Sequence, residues 1–139
     1  MEYKRYNDKI VLRLDEDDEI IESVKEVALN EKITSASVSG IGATADFTVG
    51  IFNLKIGEYN KHSYSSNHEI TSLTGNITEV DGKPYVHLHI TAAGDGNFVG
   101  GHLIAAKISL TAEIIIDVIS ADITRVHDEK LKINTLFFK

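Results

Sequence analysis

Between Asp81-Gly82 and Gly94-Asp95-Gly96-Asn97 the chain alternates in a way that limits what the rest of it can fold into. Val86, Leu88, Ile90 and Ala92 take every second place from Pro84 to Ala93, and Tyr85, His87, His89 and Thr91 take the places between. A period of two is the signature of a β-strand with one apolar face. Asp-Gly is a tight-turn signal, and Pro84 is tolerated because it opens the strand. The glycine-rich stretch after Ala93 is a loop by composition. The core must lie on the valine–leucine face, so both histidines look the other way from one rigid element.

The remaining segments are read around that strand. Lys9 to Leu14 alternates and reads as a first strand. Asp15 is a candidate N-cap for a helix running to about Glu31, with Ile20, Ile21, Val24, Val27 and Ala28 as one apolar stripe. Ile33 to Ser39 reads as a strand ending at Gly40. Phe47 to Phe52, Glu58 to Ser63, Glu69 to Gly75 and Asn76 to Val80 are further strand candidates, with Gly50 a bulge or close approach. Leu103 to Ile119 is long and apolar. Its Ile114, Ile115, Ile116, Val118 and Ile119 predict a strand buried on both faces, as at a subunit contact. Leu103 to Lys107 is read either as part of it or as a helical turn. Ile133 to Phe138 reads as a last strand or an ordered tail. The expected fold class is α+β: one domain over residues 1–139, a largely antiparallel sheet, and one principal helix packed on it.

Composition narrows the function classes. The 139 residues contain no cysteine, which excludes disulfides and thiolate metal sites, so any metal is held by nitrogen and oxygen. The hydrophobic share of 42% and charged share of 25% are ordinary for a globular protein. No apolar run is long enough to span a membrane, and the N-terminus leads into no signal-peptide core, so a cytoplasmic location is expected. The net charge is −7, with 14 Lys and Arg scattered among 21 Asp and Glu. A protein that neutralises phosphates ordinarily carries a basic excess or stripe, so direct DNA binding gets little support.

Three residues carry the chemistry. His87 and His89 share a strand face, and a glycine bend allows His102, in Gly100-Gly101-His102-Leu103, to join them. Three imidazoles with an open fourth position are a known way to hold an exchangeable or catalytic zinc; nickel, copper and iron are the alternatives. A carboxylate that completes the sphere or acts as a base is sought at Glu69 or Glu113, each in an otherwise apolar or neutral strand. Arg125, Lys107 and Lys55 are the cations considered for binding a substrate anion. His62, His68 and His127 have polar neighbours and read as surface. Gly40-Ile41-Gly42-Ala43-Thr44-Ala45 fits a dinucleotide-binding pattern, but β-forming residues follow where that mechanism needs a helix. A turn between two strands is expected there. No nucleophile elbow is present, and no nucleotide cofactor is expected.

Four blocks occur in order: Ser39-Gly40-Ile41-Gly42-Ala43, then Glu69-Ile70-Thr71-Ser72-Leu73-Thr74-Gly75-Asn76, then Asp81-Gly82-Lys83-Pro84-Tyr85-Val86-His87-Leu88-His89, then Gly100-Gly101-His102-Leu103. Together they resemble the plants and prokaryotes conserved (PPC, or PCC) domain over nearly the whole chain. The resemblance implies an antiparallel sheet beside a helix and a homotrimer. It also implies a stand-alone prokaryotic type often labelled DNA-binding by analogy with plant proteins that add AT-hooks, which this chain lacks. The fold is further similar to acetolactate decarboxylase, where a His-x-His pair and a later histidine hold zinc; His87, His89 and His102 match that pattern. That enzyme's catalytic carboxylates and arginine find no secure match here.

Three functions are therefore in competition. One is a trimeric metal-binding domain with a regulatory or partner-binding role. Another is a zinc-dependent lyase or hydrolase acting on a small carboxylate-bearing substrate. The last is a nucleic-acid partner. The expected partners are further copies of the chain and a small molecule or protein, with no membrane.

Overall fold

The computed structural model describes residues 1–138. An N-terminal strand β1 (Glu2–Tyr6) has no sequence signature of its own and pairs antiparallel with β2 (Lys9–Asp15). The alternation of β2 places Ile10, Leu12 and Leu14 at 0% exposure while Lys9, Val11 and Arg13 face out. Helix α1 (Ile20–Asn30) follows and buries Ile20, Ser23, Val24, Val27 and Ala28 against the sheet.

The helix start differs from expectation. Asp15 does not cap it, because Asp17 stands at φ 69° in the left-handed region and no helix can run through it. The Asp15 carboxylate instead accepts from Arg13 Nε at 2.9 Å. Glu19 is the cap: its Oε2 accepts from the Glu22 N–H at 2.8 Å, and its Oε1 accepts from the Ala106 N–H at 2.9 Å. One carboxylate thus closes the helix end and ties it to the sheet.

Strand β3 (Ala36–Asn53) runs straight through the glycine segment where a turn was expected. Gly40 and Gly42 permit this by their size. A Cβ at Gly40 would stand 2.8 Å from the Glu113 carbonyl oxygen, and one at Gly42 would stand 2.7 Å from that of Thr111. The register slips by a bulge between them, which bends the strand without ending it. The remaining strands are β4 (Glu58–Tyr64), β5 (His68–Val80), β6 (Lys83–Gly94), β7 (Asn97–Val118), β8 (Ile123–Asp128) and β9 (Ile133–Phe138). The two separate candidates between Glu69 and Val80 are one strand. The helical alternative at Leu103–Lys107 is excluded, since β7 is extended throughout.

The sheet has the order β1-β2-β7-β3-β5-β8-β9, with β4 on β3 and β6 joined to both β5 and β7. Since β6 touches both neighbours, the ring β3-β5-β6-β7 closes on itself. All its pairings are antiparallel; among the described residues the single parallel pairing in the sheet is a bridge between Glu79 of β5 and Thr124 of β8. One buried cluster joins the strands of this ring to β2 and α1, with Phe47, Leu88, Ile90, Leu103, Ile108 and Ile114 among its largest members. The apolar run in β7 is not buried on both faces within the chain. Ile114 and Ile116 are at 0%, but Ile115 stands at 36% and Leu110 at 73%. Among the described residues no helix is long and apolar enough to cross a membrane.

Candidate metal centre

The turn at Asp81-Gly82 sets the geometry of the histidines. Asp81 stands at φ 50° and Gly82 at φ 74°, the paired positive angles of a two-residue hairpin turn. That turn fixes the β5–β6 register and places Asn76 opposite His87 and Thr74 opposite His89. Leu88, Ile90 and Ala92 fill the core, so the histidines project from the other face. The second hairpin, at Asp95-Gly96, pairs His89 of β6 directly with His102 of β7. Strand periodicity supplies the first two imidazoles and hairpin register supplies the third.

The three rings are neighbours. Their centroids are 5.2 Å apart for His87 and His89, 5.0 Å for His87 and His102, and 5.6 Å for His89 and His102. One ring nitrogen from each lies within 4.8 Å of the others. Among the described residues no carboxylate and no fourth histidine belongs to the group. His87 and His102 are partly buried and His89 is exposed.

Burial holds the imidazoles in the form that has a lone pair to give. His87 is pushed down to about 4, first by desolvation and then by the charges that His102, Arg125 and His89 would present to it. His102 is lowered as well, by desolvation and then by His89. Near neutral pH both are uncharged, as metal ligation requires. His102 Nδ1 is buried and has no hydrogen-bond partner. A buried imidazole nitrogen left unpaired beside two others is the arrangement that a metal ion satisfies. The residues fit a divalent metal.

The surroundings hold the rings in place. Tyr59 stacks on His102 with centroids 4.6 Å apart and planes 20° from parallel. It can lie there because residue 50 is glycine; a Cβ at Gly50 would stand 2.7 Å from Tyr59 Cδ1. Behind His87, Arg125 of β8 donates from Nε to Thr78 Oγ1 at 2.8 Å, from Nη2 to Asn76 Oδ1 at 2.8 Å, and from Nη1 to the Asn134 carbonyl at 2.9 Å. Tyr85 covers its guanidinium at 4.9 Å. A cleft of about 340 Å³ opens on His87 and His102, with Tyr59, Tyr85, Arg125 and Lys132 in its walls.

Other candidates lie elsewhere. Glu69 and Glu113 are both exposed and flank a separate depression with Ile41 and Leu110, so neither is placed to ligate with the three histidines. Lys55 and Lys107 are exposed and absent from the cleft wall; of the three cations considered, only Arg125 is in it. His62 and His127 are exposed, and His127 edges the cleft. His68 is not at the surface. It is 3% exposed, packs edge-on to Phe47 at 5.0 Å, and its Nδ1 lies 2.8 Å from the Ser66 carbonyl. An imidazole can fill an apolar pocket once its N–H is bonded, and polar sequence neighbours do not reveal that.

Asn76, Thr78, Tyr59 and Lys132 were not identified from sequence. The first two follow from the Asp81-Gly82 turn, which sets them opposite His87 and Tyr85. Tyr59 has no such signal, because its place depends on irregularities between β3 and β7.

Known proteins resemble this chain in sequence and in fold. The family model described as the Plants and Prokaryotes Conserved (PCC) domain matches residues 1–120. A Bacteroides thetaiotaomicron protein, provisionally described as DNA-binding, has 30% identity and a TM-score of 0.94, covering 99% of this chain and 96% of its own. The metal-containing protein from Archaeoglobus fulgidus has 27% identity and a TM-score of 0.87, covering 98% and 96%. A Staphylococcus aureus protein of unknown function, similar to α-acetolactate decarboxylase, shares the fold alone, with 14% identity, a TM-score of 0.58, and coverage of 79% and 52%. Comparison with curated proteins finds no match.

Proposed function

This chain belongs to the Plants and Prokaryotes Conserved (PCC) domain family, and from that premise we propose that it is a homotrimeric protein that binds a divalent metal, zinc first, through His87, His89 and His102. Its role is regulatory or partner-binding, in the cytoplasm. The observation that carries this reading is the convergence of three imidazole nitrogens within 4.8 Å, with His102 Nδ1 buried and unpaired. The metal-containing description of the Archaeoglobus fulgidus relative supports it. Ile41 at 56%, Leu110 at 73% and Phe98 at 76% exposure supply apolar surface of the kind that assembly covers. The provisional DNA-binding description of the Bacteroides relative is set against a net charge of −7, and a gel shift at low salt decides it.

Metal analysis of purified protein, repeated on His87→Ala and His102→Ala, tests the centre. Bound metal near one per chain in the parent and its loss in both variants is the expected result; equal content in all three refutes the ligand set. Light scattering tests the trimer.

A second reading is favoured by the cleft. A centre with three protein ligands, set against a pocket that contains Arg125 and Lys132, suits a zinc-dependent enzyme acting on a small carboxylate-bearing substrate. The bound metal would polarise a carbonyl or activate a water there. Tyr59 and Tyr85 would wall the substrate in, and Arg125 would orient its carboxylate.

A further inference from the structure

Arg125 stands where a metal-bearing histidine needs an acceptor. Besides its bonds to Thr78, Asn76 and Asn134, its Nη2 lies 3.3 Å from His87 Nδ1. A guanidinium has five N–H donors and no acceptor. In this contact Nδ1 must supply the lone pair, so the neutral His87 ring carries its proton on Nε2. A ligating histidine has the opposite arrangement: one nitrogen gives its lone pair to the metal and the other donates its N–H to an acceptor. Coordination through Nδ1 takes the lone pair that Arg125 uses. Coordination through Nε2 moves the proton to Nδ1 and sets two donors against each other. The Arg125–His87 contact and a metal on His87 therefore exclude one another.

The displaced N–H has somewhere to go. The three other bonds keep the guanidinium in the cleft wall, and none of the ion pairs among the described residues involves Arg125. Lys132 lines the same cleft, lying across Gly57, where a Cβ would come 2.6 Å from its Cδ. Glu58 is the one carboxylate in the lining, and His127 stands at its edge. With a divalent metal on the histidines, the cleft is a positive concavity on a chain of net charge −7.

We propose that Arg125 exchanges partners: it holds His87 in the metal-free chain and, displaced by metal, binds the carboxylate or phosphate group of a small anion in the cleft. This rests on the metal reading above. The test combines three measurements on the full chain. Long-range proton–nitrogen spectra of the chelator-treated parent should show the His87 proton on Nε2, and a proton on Nδ1 overturns the exchange. Competition titration with zinc should show Arg125→Met binding about threefold to tenfold more tightly than the parent, the range one released hydrogen bond gives. A merely structural arginine predicts weaker binding in the variant, and equal or weaker binding overturns the proposal. Calorimetry with acetate and with inorganic phosphate, on zinc-loaded and zinc-free parent, should show anion binding that needs zinc and is lost in Arg125→Met. The stronger of the two probes identifies the class. Anion binding unchanged by the substitution refutes the anchor. If the variant fails to fold, the parent spectra and the zinc dependence of anion binding still decide. If the parent takes up no zinc, the metal centre falls and the exchange with it; if zinc binds equally to both proteins, only the exchange falls.

Discussion

Substituting Gly75 by alanine separates the fold's demands from those of the site. Gly75 lies in β5, between Val38 of β3 and Leu88 of β6. A Cβ there would fall inside the His87 carbonyl oxygen and stand 2.9 Å from both the His87 carbonyl carbon and Leu88 Cα. All three are backbone atoms, so no rotamer relieves the overlap. Carbon–oxygen contacts between strands settle at about 3.3 to 3.6 Å, and β6 must retreat by roughly 1 Å or more at the residue that carries the first imidazole. Overpacking of this kind costs about 1–3 kcal/mol, here toward the upper end. Alanine restricts the unfolded chain and returns about 0.4–1 kcal/mol. A net loss of about 2 kcal/mol corresponds to a fall of roughly 8 °C in Tm for a chain of this size. Displacing His87 should weaken zinc about tenfold or more, as supporting-shell changes do. Gly82→Ala is the control. At φ +74° it strains the turn by about 1–2 kcal/mol, but with nothing within 4 Å of its Cβ it pushes on no atom of β5 or β6, so the register and the rings stay where they are. The assay is thermal unfolding beside zinc competition. Near-parental Tm and zinc affinity in Gly75→Ala, or an equal loss of zinc in both variants, would refute the reasoning.

Acid should destabilise the metal-free protein through His87. Its folded value of about 4 lies below the ordinary 6.5, so the unfolded chain takes the proton first. The stability from keeping this ring neutral is fully present above pH 6.5 and is lost as pH falls toward 4. The loss is at most about 3 kcal/mol, reduced by solvent screening at a partly exposed ring. Urea unfolding of the parent and His87→Gln across that window checks it, and identical pH slopes count against it. Tyr59→Ala removes the ring stacked on His102 and should move the His102 titration upward by exposing it to water, followed by proton NMR. Glu69→Gln and Glu113→Gln should leave zinc stoichiometry unchanged, since both carboxylates lie outside the histidine group; loss of metal in either shows that it ligates.

Local patterns were legible in the sequence where one physical cause dominates. The alternation in β6 predicted Leu88, Ile90 and Ala92 as its buried face, with Val86 only partly buried, and Asp81-Gly82 predicted the turn that sets its register to β5. The alternation sets His87 and His89 on one face, and the glycine loop at Asp95-Gly96, legible by composition, closes the hairpin that pairs His89 with His102, because antiparallel hairpins convert spacing into proximity. Features that depend on distant backbone were not legible. The glycines of β3 look like a turn, and only the closeness of β7 explains why the strand continues. Asp15 looks like a cap, and only the left-handed Asp17 removes it. His68 looks exposed because its neighbours in sequence are polar, while its neighbours in space are Phe47 and Tyr64. Arg125 was one cation among three until β8 placed it behind His87.

The C-terminal hairpin of β8 and β9 joins the sheet through one parallel bridge, Glu79 to Thr124, reinforced by the hydrogen bonds of Arg125. It also lies beyond residues 1–120, the span matched to the family. A wall attached at so few points can change length, charge or angle without disturbing the pairing that aligns the imidazoles. Changes in this hairpin would therefore act on what the cleft admits and leave the strand pairing that gathers His87, His89 and His102 as it is.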